Sequence, residues 1–156
     1  MRPWRVTFHV TGLPYGTAEG IRRFHMKPAA RGGRGWSDIG YHLVITNGNP
    51  GIQRQDGIDR SPEMAADGKV WLGRSFERRG AHVFGHNEDN IGVVWVGKSG
   101  ELTHRQLVMG IITAVRLCRR YGIQPKDVRG HFEYDELKSC PGIDMRIFRA
   151  AVEAQL

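Results

Sequence analysis

From Gly130 to Gly142 the chain reads Gly-His-Phe-Glu-Tyr-Asp-Glu-Leu-Lys-Ser-Cys-Pro-Gly, placing an imidazole, a thiol, a lysine and three carboxylates within thirteen residues. Imidazole and thiolate are natural zinc ligands, and an adjacent ammonium can stabilise negative charge that develops during a reaction. Glu133, Asp135 and Glu136 are positioned in sequence to support a ligand by hydrogen bonding, or to do nothing of the kind. Taken alone, the cluster reads more plainly as an inert thiol beside a surface imidazole. A metal site needs a further ligand from elsewhere, and spacing does not select one from the seven histidines of the chain. There is no His-Glu-x-x-His run of the common metalloprotease kind.

The elements that would have to position these groups fit one domain. The chain has 156 residues, 40% of them hydrophobic and 25% charged, which is the balance of an ordinary globular protein. No apolar run approaches the length of about twenty residues that spans a bilayer. The basic N-terminus lacks the apolar core of a signal peptide, so synthesis and retention in the cytoplasm are expected. Two cysteines are too few for a secreted disulfide framework. Cys118 lies in a helical pattern and reads as a core thiol, whereas Cys140 sits in an irregular segment beside Pro141. The net charge of +7 favours polyanionic partners, among them nucleic acid, anionic membranes and the bacterial wall. The basic residues are dispersed and form no nucleic-acid arm.

Along the chain, residues 5–11 read as a strand, followed by a helix capped by Thr17 and running to about Met26. Leu43-Val44-Ile45 is a second strand. Residues 47–69 are polar and rich in Gly and Pro, too long for an ordinary connection, with a turn expected at Asp67-Gly68 before a third strand at 70–72. Residues 91–97 form the clearest buried strand. Thr103 and Gln106 make a capping box that opens the clearest helix, with Leu107, Ile111, Ala114, Cys118 and Tyr121 as its buried stripe. Val128-Arg129 is a possible last strand, and Asp144 caps a helix packing through Ile147, Phe148 and Val152. His25 and His104 read as helix-surface residues. The alternation predicts an α/β fold, a central mixed β-sheet flanked by helices.

Four segments resemble the zinc-dependent N-acetylmuramoyl-L-alanine amidases of type 2, the family of phage amidase endolysins and peptidoglycan recognition proteins. They are Val6-Thr-Phe-His9; Ile21-Arg-Arg-Phe-His25 with Gly35-Trp-Ser-Asp-Ile-Gly-Tyr-His42; Leu72-Gly-Arg74 through Gly80-Ala-His82 to Asn90-Ile-Gly-Val-Val94; and Gly130-His131 with Lys138-Ser-Cys-Pro-Gly142. The run from Gly35 to His42 is the most specific of them. The resemblance covers nearly all of the chain except an insertion at about 47–66. It implies that residues 1–156 form a single catalytic domain, with His9, His131 and Cys140 as zinc ligands. It further implies that Tyr41 and Lys138 line the reaction site and that His42 and His82 lie near the metal as substrate contacts.

The implied chemistry is hydrolysis of the amide between N-acetylmuramic acid and L-alanine in bacterial peptidoglycan. Zinc would make a water more acidic, Lys138 would share the oxyanion, and Tyr41 would orient the water. An endolysin-type monomer that reaches the wall after release from the cytoplasm is the expected setting, without a specific nucleic-acid partner. Members that only recognise peptidoglycan typically lack the cysteine ligand, so Cys140, Tyr41 and Lys138 together favour the hydrolase over a binding module.

Overall fold

The computed structural model describes residues 1–51 and 66–156. Five strands make one mixed sheet: β1 (Arg5–Val10), β2 (Leu43–Asn47), β3 (Asp67–Leu72), β4 (Asn90–Trp95) and β5 (Val128–Gly130). Their spatial order is β3-β2-β4-β1-β5. β1 runs parallel to β4 and β5, β2 runs parallel to β4, and β3 is antiparallel to β2 at the edge. Among the described residues three α-helices flank the sheet: α1 (Ala18–Met26), α2 (His104–Tyr121) and α3 (Met145–Glu153). The α/β fold expected from the alternation of elements is the fold observed. Among the described residues no helix is long and apolar enough to cross a membrane.

Strand alternation divides the residues between two layers. Val6 and Phe8 of β1, with Ile91, Val93 and Trp95 of β4, meet Ala114, Leu117 and Cys118 of α2 and Phe148 and Val152 of α3. Phe8 stacks on Trp95 at 4.6 Å between centroids, and Phe148 meets Phe8 edge-on at 5.0 Å. Val44, Val94 and Val96 form a smaller apolar cluster with Ile39, packed against Ala18 and Ile21 of α1. The residues of β1 that alternate with Val6 and Phe8 are Thr7 and His9, both buried. One strand therefore contributes apolar side chains to the main core and polar ones to the opposite face.

Helix α2 begins as expected. Thr103 accepts from the Gln106 amide, and the Gln106 side chain accepts from the Thr103 amide. Its buried face is rotated from the expected stripe. Leu107, Ile111 and Tyr121 are only partly buried, whereas Gln106, Gly110, Thr113 and Leu117 are buried together with Ala114 and Cys118. The reason is Trp95. Its indole lies over Gly110, where an added Cβ would meet Cζ2 at 2.3 Å, and its Nε1 donates to the Gln106 carbonyl at 2.9 Å. The Gln106 amide nitrogen also donates to the carbonyls of Ile45 and Val96, so a capping residue ties the helix to two strands.

Three other local expectations change. Asp67 and Gly68 are the first residues of β3, with Asp67 opposite Asn47 and its carboxylate accepting from Thr103, rather than a separate turn. Ile147 is 71% exposed, and Met145 takes its place beside Phe148 and Val152. His25 is buried, not on the surface, because its Nδ1 accepts from the Gly40 amide at 3.0 Å and its ring packs beside Trp36. Most of the stretch read as an insertion at about 47–66 lies outside the described residues.

Candidate metal centre

His9 is the penultimate residue of β1, and His131 directly follows β5, its parallel neighbour. The two side chains therefore leave adjacent strands near their carboxyl ends, where open α/β sheets place their ligands. Their ring centroids are 4.6 Å apart. Cys140 is returned to them by a loop closed at its neck, where the Phe132 amide donates to the Cys140 carbonyl at 2.9 Å. One ligand atom each from His9, His131 and Cys140 lies within 4.8 Å of the others. Tetrahedral zinc bonds of about 2.0–2.3 Å put donor atoms roughly 3.3–3.7 Å apart, so a small contraction closes the set. Two imidazoles and a thiolate suit zinc, whereas calcium and magnesium prefer oxygen donors.

The electrostatics suit ligation too. Burial, then His82 and His131, push the His9 pKa well below its ordinary value. Burial and then Lys138 lower that of His131, with Asp135 opposing. Both shifts favour the neutral ring, the form that binds metal. Burial raises the Cys140 thiol, while the Val10 amide, 3.1 Å from the sulfur, and Lys138 act the other way.

Tyr41 lies beside this cluster, its ring centroid 5.3 Å from that of His9. Burial, followed by Cys140, pushes its pKa up to about 12, so near neutral pH its hydroxyl is a hydrogen-bond donor and not a base. Lys138 is exposed on the loop between His131 and Cys140, close enough to shift both.

His42 departs from the role expected of it as a substrate contact. It is fully buried, its Nε2 donating to the Arg78 carbonyl at 3.0 Å and its Nδ1 accepting from the Gly92 amide at 2.9 Å. Both nitrogens are spent on backbone, which makes it a clamp between β4 and the loop after β3. His82 has protein partners at both ring nitrogens as well. Its two nitrogens lie 3.1 Å from His9 Nε2 and 3.1 Å from the Asn90 carbonyl. The carboxylates of the cluster hold the loop: Glu133 accepts from the Gly130 amide and from Arg149, and Asp135 accepts from the Leu137 amide.

His25, which reads from sequence as a helix-surface residue, belongs to the site's surroundings. It is buried beside Tyr41 at 5.7 Å, and together they line a cavity of about 400 Å³ with Arg34, Phe24 and Ile21. Its position in the run Phe24-His25 before Gly35-Trp36 was the available signal.

A family model described as N-acetylmuramoyl-L-alanine amidase matches residues 1–143. An endolysin of Enterobacteria phage K11 is 27% identical over a match 135 residues long that covers 81% of this chain and 70% of that protein. Among solved structures, N-acetylmuramoyl-L-alanine amidase LysC from Clostridium intestinale URNW superposes with a TM-score of 0.75 at 24% identity, covering 98% of this chain and 87% of that one. Drosophila peptidoglycan recognition protein SD superposes at 0.65 with 20% identity, covering 90% and 75%. Both structural likenesses are likenesses of fold.

Proposed function

The chain belongs to the N-acetylmuramoyl-L-alanine amidase family, and from that premise we propose that it is a zinc-dependent peptidoglycan hydrolase cutting the amide between N-acetylmuramic acid and L-alanine. The observation that carries the proposal is the convergence of His9, His131 and Cys140 within 4.8 Å beside Tyr41. When bound, zinc would supply a Lewis acid and a more acidic water at this position.

The chain's own groups would do the rest. His9, His131 and Cys140 would hold the ion. The Tyr41 hydroxyl, protonated near neutral pH, would donate to the attacking water or to the scissile carbonyl. Lys138 would face the oxygen on which negative charge develops. The cavity of about 400 Å³ that begins at Tyr41 would receive part of the substrate. Similarity to a phage endolysin favours a lytic role, exercised on the wall after release, with residues 1–156 as one catalytic unit.

The second reading is a recognition module that binds peptidoglycan without cutting it, favoured by the likeness to a recognition protein. Cys140 together with Tyr41 and Lys138 supports the hydrolase. A chelator-and-rescue experiment on purified sacculi separates them. A hydrolase loses amino-group release when metal is stripped and regains it with zinc; a recognition module releases none in either state.

A further inference from the structure

We infer that His82 is a positioning residue, clamped between two glycines and holding the His9 ring so that Nδ1 of His9 is the nitrogen presented to the metal. The inference deepens the zinc reading above and rests on it.

The hydrogen bonds admit one consistent polarity. His82 Nε2 lies 3.1 Å from the Asn90 carbonyl, and a carbonyl only accepts, so Nε2 carries the hydrogen. A neutral imidazole carries one ring hydrogen, and in His82 that hydrogen is committed to the Asn90 carbonyl. Its Nδ1 is then a bare acceptor. His9 Nε2, 3.1 Å away, must donate to it. The neutral ring is the form that ligates a metal, and with the His9 hydrogen on Nε2 the lone pair is left on Nδ1. A metal-bound imidazole usually gives its other N–H to a carboxylate, a carbonyl or water. Here a second imidazole takes that place and passes the constraint back to the backbone of β4.

The geometry also seats His82 against two glycines. An added Cβ on Gly92 would lie 2.5 Å from His82 Cδ2, and one on Gly80 would lie 2.5 Å from the same atom. Those distances are closer than side chains allow, so only glycine at both positions leaves a slot for the ring. The His82 amide donates to Asn87 Oδ1 at 2.8 Å, fixing the backbone that carries it.

Two variants isolate the acceptor. His82→Asn places an amide oxygen near the Nδ1 position, whereas His82→Phe keeps a flat ring without an acceptor. Long-range ¹H–¹⁵N correlation spectra of metal-free protein report the His9 tautomer, and chelator competition reports zinc affinity. Wild type and His82→Asn are expected to show His9 protonated at Nε2, with equal affinities. His82→Phe is expected to show mixed His9 tautomers and zinc binding about 10–100-fold weaker. Zinc-binding wild type with His9 protonated at Nδ1 overturns the inference even if His82→Phe fails to fold, as does a folded His82→Phe protein binding zinc like wild type. Wild type that binds no zinc overturns the zinc reading instead, and the metal role of His82 falls with it.

Discussion

The backbone amide of Val10 donates to the sulfur of Cys140 at 3.1 Å, joining residues 130 positions apart. Val10 adjoins His9, so the end of β1 supplies a ligand side chain and, one residue later, a donor that favours the thiolate over the buried thiol. Cys140→Ser should keep the fold and lose this advantage, because an alcohol is both a poorer zinc ligand and far harder to deprotonate. Its zinc affinity should fall by at least the roughly 10–100-fold that loss of a supporting outer group costs. Chelator competition measures it; an affinity equal to wild type would remove Cys140 from the ligand set.

Tyr41→Phe removes a hydroxyl that is protonated near neutral pH, burial pushing its pKa up to about 12. Turnover should fall about 10²-fold, the usual scale for a lost proton-transfer or oxyanion group, while zinc content stays that of wild type. Lys138→Ala should behave similarly, since Lys138 is exposed and holds no part of the core. Steady-state rates with metal analysis of the same samples check both. Loss of zinc in either variant would make the residue a support of the ligands and not a participant.

The stability of the metal-free protein should depend on His25. Burial, then Arg34 and Arg74, lower its pKa from 6.5 to about 4. Between those values the unfolded chain binds a proton that the folded protein refuses, so stability falls as the pH drops from about 6.5 to about 4 and levels off below. His9, His42 and His82, also lowered, act in the same direction. His25→Gln should reduce the difference between urea midpoints at pH 7 and pH 5; an unchanged difference would contradict the assignment.

Gln106→Leu should destabilise the protein without touching the site. It strands the carbonyls of Ile45 and Val96, which receive the Gln106 amide at 3.1 and 2.9 Å, and should cost about 2–3 kcal/mol. Gly110→Ala drives a methyl into the Trp95 indole and should cost about 1–3 kcal/mol. Urea unfolding measures both, and zinc affinity should not move.

What the chain reveals on its own depends on how far apart the interacting residues lie. The buried run of β4 and the capping box of α2 are local patterns, and both appear where the sequence puts them. Gln106 is legible as a cap, but its bonds to two strands are not, because they need the sheet assembled. Ile147 and His25 sit at helical positions where periodicity cannot tell a covering loop from solvent. The site divides in the same way. His131 and Cys140 announce themselves within one segment, whereas His9 and Tyr41 came only through the family resemblance. The partnership of His82 with His9 depends on glycines at 80 and 92, which carry no chemical signal of their own.

Mass spectrometry of sacculi digested by zinc-loaded wild type and by Cys140→Ala tests the central claim most directly. Wild type is expected to release stem peptides with a free L-alanine amino terminus and to leave the glycan strands intact, and Cys140→Ala to release almost none. No such peptides from wild type, or equal release by the two proteins, would contradict that claim.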